Sequence, residues 1–170
     1  GCRIPAKLSN PRDLFLQLLG EMLWLERELV REALPALERG AQAQSLAQAF
    51  AEHLEQTRGH VERVEAVFRI AAAEPSSNLD EPARKLVEHH DELAGSIVDP
   101  VLRDVFHAAA AAKTEHTEIA AYTTLIGLAE ALELPEAVRL LERNRDEEAE
   151  ALEQVERAAE RLLREVAHAG

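Results

Sequence analysis

At 170 residues the chain has the length of one domain, and its abundant Ala, Leu, Glu and Arg with only 4% aromatic residues argue against a β-sandwich, a barrel or a doubly wound sheet. The formal net charge of −13 argues against DNA or RNA as a partner and favours metal cations. The single Cys2 excludes an intramolecular disulfide, and no apolar run approaches the ~20 residues that span a bilayer. We therefore expect a cytoplasmic protein that binds neither nucleic acid nor membrane.

The first half of the chain predicts two long helices. Asn10 followed by Pro11 has the pattern of an N-cap with proline at the first helical position, and apolar residues recur at helical spacing to about Arg39. Pro35 lies inside this stretch, so it should kink the helix or end it early. A second stretch with the same periodicity covers residues 44–73.

The second half adds a connection and another pair of helices. After a loop that contains Pro and Ser, a short helix is predicted over 81–93. Two further long helices, over 100–132 and 135–167, are separated by a very short turn. This plan predicts an all-α fold, the ferritin-like antiparallel four-helix bundle with a long crossover that contains a short extra helix. In this plan residues 1–10 are an N-terminal tail and residues 11–168 are a single domain.

Each long helix carries polar, ligand-capable residues at mid-length on its apolar face. A helix of a globular protein normally turns Glu toward solvent, because burying an unpaired carboxylate is costly. The residues that break this rule and are candidate metal ligands are Glu26, His53, His60, Glu115, Glu118, Glu147 and Glu148. Two divalent cations would compensate such a cluster, since iron and manganese accept carboxylate oxygen and imidazole nitrogen.

The spacing of these residues along each hairpin supports one common site. Glu26 and His60 are separated by nearly the same number of residues as Glu115 and Glu148, so antiparallel helices bring each pair to the same height. Taken singly, any of these acids can also be a boundary residue, and either histidine can be a hydrogen-bonded core residue.

The other histidines considered are not predicted to bind metal. His89, His90 and Asp91 lie on the short connecting helix and are predicted to face solvent. His116 points about 100° away from its neighbour Glu115, so it should pack or meet a partner helix.

Four segments together resemble one protein family. They are Leu34-Pro35-Ala36-Leu37, residues 53–65, residues 115–122 and Asp146-Glu147-Glu148. The third, Glu-His-Thr-Glu-Ile-Ala-Ala-Tyr, is the most specific. With these segments the chain resembles the YciE/YciF-like branch of the ferritin-like superfamily, bacterial proteins associated with stress, over residues 15–160.

The resemblance implies a di-metal carboxylate centre with two Fe or Mn ions per chain, in a homodimer. The positions that match the family's inward polar groups are Glu26, His53, Glu115, Glu118 and Glu147 or Glu148. The chain departs from the family at Gln56, where a second Glu is common, and at His60, where Gln is common. An acidic residue often seen after the Glu-Glu pair is also missing, since Leu152 occupies that region. The site is thus compatible with two metals that include His60 as a ligand, with one, or with none.

Two functions from different classes follow. The first is a non-haem oxidoreductase that oxidises Fe(II) or reduces O₂ or peroxide, with Tyr122 as a hydrogen-bond donor or redox partner. The second is a metal-free helical dimer whose polar core fixes the register. It predicts that the inward acids are satisfied by Arg58, Lys113, Arg145 or Tyr122. A haemerythrin-like carrier ranks last, because such sites are richer in histidine.

Overall fold

The computed structural model describes residues 7–169, so Cys2 lies outside the described residues, and within this range the chain is helical apart from short connections. The helices are α1 (Pro11–Glu28), a π-helical turn (Leu29–Ala33), α2 (Leu34–Gly40), α3 (Gln44–Ile70), α4 (Glu81–Ser96), α5 (Pro100–Ala131) and α6 (Pro135–His168). None of the described helices combines the length and the apolar character needed to cross a membrane.

Side-chain caps fix where several helices begin. Asn10, Asp80 and Asp99 each accept a hydrogen bond from the backbone N–H three residues later, at the starts of α1, α4 and α5. The residue before α3 is Ala43, which has no side chain able to cap. Instead, the buried Asp104 of α5 accepts hydrogen bonds from the two backbone N–H groups just before α3, at 3.0 and 2.7 Å. This long-range cap ties the first hairpin to the second.

The helix that contains Pro35 neither stops nor ends early. A π-helical turn precedes the proline, and the Leu34 N–H donates to the carbonyl of Leu29, five residues back. Because proline has no N–H and its ring crowds the carbonyl four residues earlier, the extra residue in this turn relieves the conflict. The helix then continues as α2 to Gly40, so of the two predicted outcomes, a kink or an early end, the early end is wrong.

The four long helices form the predicted bundle. α5 and α6 pack as one antiparallel hairpin, α3 packs on α1, α2 and α6, and α1 also contacts α5. α4 lies in the crossover and packs mainly on α5; it runs to Ser96, beyond the predicted end at residue 93. Its buried residues are only Ala83 and Ala94.

The core is divided into two apolar clusters by a polar layer. One cluster, around Phe15, Leu23 and Leu141, lies where α1 and α6 begin. The other, around Phe50 and Leu162, lies where α3 begins and α6 ends. Between them the chain buries carboxylates, imidazoles and an amide. The two clusters supply the apolar burial that stabilises the bundle, and the layer between them is the candidate site.

Candidate metal centre

Each of the four long helices contributes one residue to the centre of the polar layer. These are Glu26 of α1, His60 of α3, Glu118 of α5 and Glu148 of α6, and all four are completely buried. Each offers one carboxylate oxygen or ring nitrogen, and these four atoms lie within 4.8 Å of one another. Every one of them belongs to the set that the sequence predicts. Three acids and one imidazole around a common point are a ligand set suited to iron or manganese.

The chain itself leaves much of this layer unsatisfied. Among the described residues, Glu26, His60, Glu115, Glu118 and Glu148 together bury eight side-chain oxygen and nitrogen atoms without a hydrogen-bond partner. His60 Nδ1 lies 2.9 Å from Glu148 Oε1 and 3.4 Å from Glu26 Oε2, but these contacts lack hydrogen-bond alignment. Buried polar atoms are normally paired, so such a concentration of unpaired oxygen and nitrogen atoms fits a cation site.

His53 and Glu115 extend the site along the bundle axis. His53 Nε2 lies 3.4 Å from Glu148 Oε2 and 3.8 Å from Glu115 Oε1. Glu148 therefore directs one oxygen at His60 and the other at His53, whose ring centroids are 6.1 Å apart. Together with the two imidazoles, this carboxylate would offer ligand atoms to more than one cation.

Gln56 orients the outer histidine. Its Oε1 lies 3.4 Å from His53 Nδ1, so with a proton on Nδ1 the ring keeps its Nε2 lone pair toward Glu148 and Glu115. Thr57 adds a hydrogen bond of 2.7 Å to the backbone carbonyl of His53. Gln56 thus helps to fix the orientation of the His53 ring.

Burial and the crowding of carboxylates set the pKa values of the layer. Burial and the nearby Glu148 raise the pKa of Glu115 to about 9, and burial with Glu148 and Glu26 raises the pKa of Glu118 well above its ordinary value. Burial lowers the pKa of His60, but its contacts with Glu148 and Glu26 outweigh burial and raise it to about 10. The layer thus takes up protons where a metal ion would supply charge.

A second ring of polar residues holds the candidate ligands in position from behind. The Tyr122 hydroxyl donates to Glu26 Oε1 at 2.8 Å and accepts from Asn144 Nδ2 at 3.1 Å, while Asn144 also donates to the backbone carbonyl of His60. Arg63 donates to Asn144 Oδ1 at 2.6 Å and to Glu147 Oε1. Burial raises the pKa of Tyr122 well above its ordinary value, so it remains a donor.

Glu147 lies at the edge of the layer. Its carboxylate pairs with Arg63 at 3.0 Å, and its Oε1 is 3.6 Å from His60 Nε2. Of the two adjacent acids, Glu148 faces the centre and Glu147 anchors the outer network. The sequence pattern does not single out Asn144 or Arg63, because both act through contacts with residues far away in the chain.

Of the histidines outside the layer that the sequence analysis considered, His89 and His116 are exposed, whereas His90 packs against α5. His89 and Asp91 are exposed as predicted, but the prediction that His90 faces solvent is wrong. Its Nε2 lies 3.0 Å from His107 Nδ1 as a hydrogen-bond partner, and its ring stacks on Phe106 at a centroid distance of 5.2 Å. His116 is on the surface, 3.7 Å from a carboxylate of α6.

Known proteins are similar to this chain in both sequence and fold. The family model described as "Domain of unknown function (DUF892)" matches residues 10–168. Protein YciF of Escherichia coli (strain K12) is 39% identical over 147 residues, which cover 83% of this chain and 85% of that protein.

Solved structures give the same relationship. The crystal structure of the E. coli stress protein YciF aligns with a TM-score of 0.87 and 32% identity over 92% of this chain and 99% of that chain. YcfI from Rhodopseudomonas palustris aligns with a TM-score of 0.86 and 32% identity over 91% and 98%. A protein from Xanthomonas campestris, at 17% identity and a TM-score of 0.70, shares the fold. The chain therefore belongs to the DUF892 family and to its YciF-like branch.

Proposed function

We propose that the chain is a ferritin-like di-metal carboxylate protein that binds two Fe or Mn ions in the polar layer. The observation that carries this proposal is the set of eight buried oxygen and nitrogen atoms without a hydrogen-bond partner among the described residues. Four of the residues that carry these atoms each offer one ligand atom, and those four ligand atoms lie within 4.8 Å of one another. Leaving that many polar atoms unpaired would destabilise a small bundle severely, and divalent cations remove the penalty.

The proposed ligands fall into two groups joined by Glu148. Glu26, His60, Glu118 and one oxygen of Glu148 would hold the first ion. The second group would combine the other oxygen of Glu148 with the residues that extend the site. These are His53 and Glu115. When bound, such a pair of ions supplies redox chemistry toward O₂, peroxide or Fe(II).

The chain's own side chains prepare this site. Tyr122 donates to one oxygen of Glu26, which leaves the other oxygen directed at the centre. The hydroxyl is fully buried, so it can hold a proton or act as a redox partner beside the ions, which is the role we propose for it. The homodimer, the cytoplasmic location and the lack of nucleic-acid binding remain predictions of the sequence.

The second candidate is a metal-free helical dimer with a structural or interaction role. It is supported by the Arg63, Asn144 and Tyr122 network, which satisfies Glu147 and one oxygen of Glu26 without an ion. It also requires donors for the remaining acids. Of the four donors predicted for that purpose, Tyr122 alone has a hydrogen bond to an inward acid among the described residues. Arg58 pairs with Glu55 instead, and Arg145 donates to Thr123. Lys113 is exposed.

A metal titration separates the two candidates. We expect wild-type protein, loaded anaerobically with Fe(II) or Mn(II), to retain about two ions per chain by elemental analysis. Glu118→Gln should lose this retention, because it removes a ligand charge at the centre. The matched control is Glu130→Gln, an exposed position on the same helix, which should bind like wild type. Equal retention by both variants, or no retention by wild type, would refute the di-metal proposal.

A further inference from the structure

A cavity of about 280 Å³ connects the surface of the bundle to the polar layer. Its inner end is lined by His53, Glu115 and Glu118 of the proposed centre. Its outer rim includes Leu86 of α4 and Lys113 of α5, both of which are exposed. The cavity therefore leads from solvent to the side of the centre that His53 and Glu115 form.

Most of the remaining wall is apolar. It is built by the π-helical turn, α2, α4 and α5, with side chains that include Leu34, Leu37, Leu93, Phe106, Ala110 and Ala111. The polar side chains that also line it are His89, His90, Asp91, His107 and Thr114. A lining that is mostly apolar with a few polar groups resembles that of a ligand site.

The size of the cavity indicates what it fits. A protein cavity of about 150 Å³ with apolar walls accommodates benzene, so by proportion this one holds a molecule of roughly ten non-hydrogen atoms. Dioxygen and peroxide are far smaller than this. A passage for either would not need a chamber of this volume, so an organic molecule is the better occupant.

The wall of the cavity narrows the class further. Its aliphatic and aromatic side chains outnumber the polar ones, so an ion would lose hydration there with few groups to replace it. A neutral compound with an alkyl or aryl body avoids this cost.

We propose that this cavity is the substrate site of the centre and binds a neutral, mainly apolar organic molecule of roughly ten non-hydrogen atoms. One end of the molecule lies beside His53 and Glu115, and its body contacts Leu34, Leu37 and Phe106. The substrate role rests on the proposed di-metal function, whereas binding itself depends only on the chain.

Binding is tested on the metal-free, full-length chain with three neutral probes: indole, naphthalene and 1-octanol. We expect calorimetry to show at least one of them binding wild type with a stoichiometry of about one. Ala110→Phe fills the cavity and should weaken this binding at least tenfold. Ala109→Phe is the matched control, because Ala109 is the exposed neighbour on the same helix and does not line the cavity.

A second cavity-filling variant distinguishes a loss of binding from a folding defect. Leu93 lines the cavity from α4 and is 40% exposed, so Leu93→Trp can fill part of the cavity without disturbing the bundle core. It should weaken binding in the same way, with an unchanged unfolding midpoint. Binding by none of the three probes, or equal binding by the filling variants and Ala109→Phe, would overturn the proposal.

A separate measurement reports how close the bound probe lies to the metal centre. In Mn(II)-loaded wild type, the paramagnetic ion should accelerate proton relaxation of the bound probe, and Ala110→Phe should abolish this effect while its metal content stays at the wild-type value. Binding and full metal content without accelerated relaxation would contradict the substrate role. Probe binding in a chain that takes up no metal would instead refute the di-metal function and leave the cavity established as a ligand site.

Discussion

Glu115 is one of the buried acids that the described chain leaves with an unpartnered oxygen. It is 2% exposed, its Oε2 has no hydrogen-bond partner in the described chain, and burial together with Glu148 raises its pKa from 4.5 to about 9. His60 shifts in the same direction, from 6.5 to about 10, although for the different reason that two carboxylates surround it. Both groups therefore hold protons in the folded state that they release in the unfolded chain.

The sign of the pH dependence follows from these two shifts. A pKa that is higher in the folded state contributes stability below the unfolded value and loses it as pH rises to the folded value. We therefore expect the free energy of unfolding of metal-free protein to fall between pH 6.5 and 9, as measured by urea denaturation. Metal-loaded protein should not show this fall, because ions bind the deprotonated ligands. A metal-free protein with constant stability over this range would contradict the assignment.

A substitution assigns part of this dependence to Glu115. Glu115→Gln removes the buried acid and keeps its shape, so at pH 8 we expect it to stabilise metal-free protein by roughly 1–3 kcal/mol. The same change should weaken metal retention, since it deletes a proposed ligand. Glu153→Gln, at an exposed position on α6, is the control and should alter neither property. Destabilisation of the metal-free protein by Glu115→Gln would mean that Glu115 already has a partner.

The residues of the polar layer differ in how far the sequence predicts them. Glu26 and Glu118 stand out because an acid interrupts an apolar stripe, and that is a local pattern. Arg63 does not stand out, since its role depends on reaching Asn144 and Glu147 across the bundle. His90 was misplaced for the same reason: its burial comes from Phe106 and His107 on α5, which its own helix does not reveal.

At the scale of elements, the crossover is held to α1 by a close backbone approach. The Asn78 N–H donates to the Gly20 carbonyl at 2.9 Å, and Asn78 Nδ2 donates to the Gln17 carbonyl at 3.2 Å. A Cβ on Gly20 would lie 2.4 Å from Asn78 Nδ2 and 2.9 Å from the Ser76 carbonyl oxygen. Gly20 is therefore required by contact, although it lies within a helix.

Two glycine substitutions test this contact. Gly20→Ala should lower the free energy of unfolding by about 1–3 kcal/mol, because the added methyl group displaces the crossover. Gly127→Ala is the matched control, since it is exposed on α5 and its Cβ would meet nothing within 4 Å. It should raise stability by about 0.5–1 kcal/mol through helix propensity. Stabilisation by both changes would show that the crossover does not depend on Gly20.

Local sequence signals were sufficient to predict where some of the helices begin. Capping residues followed by proline predicted the starts of α1 and α5, because both effects act within one turn. The π-helical turn before Pro35 was not predicted, since a proline is equally compatible with a kink, a stop or an extra residue. Packing of α2 on α3 selects the continuous path, and that information is tertiary.

At the scale of the whole molecule, two apolar clusters enclose a layer that would be unstable alone. Helix lengths and short turns predicted this antiparallel arrangement, since hairpins place mid-helix residues at one height. The cavity could not be predicted, because it arises where α4 fails to fill the space beside α2 and α5. The fold therefore follows from periodicity, whereas the surroundings of the site follow from packing.

The most direct measurement is a crystal structure of Mn(II)-loaded protein with anomalous diffraction data collected at the manganese edge. We expect two anomalous peaks in the polar layer, one among Glu26, His60 and Glu118 and one beside His53 and Glu115, with Glu148 between them. Ordered protein density with no anomalous peak in this layer, or with manganese bound only to surface carboxylates, would contradict the di-metal centre.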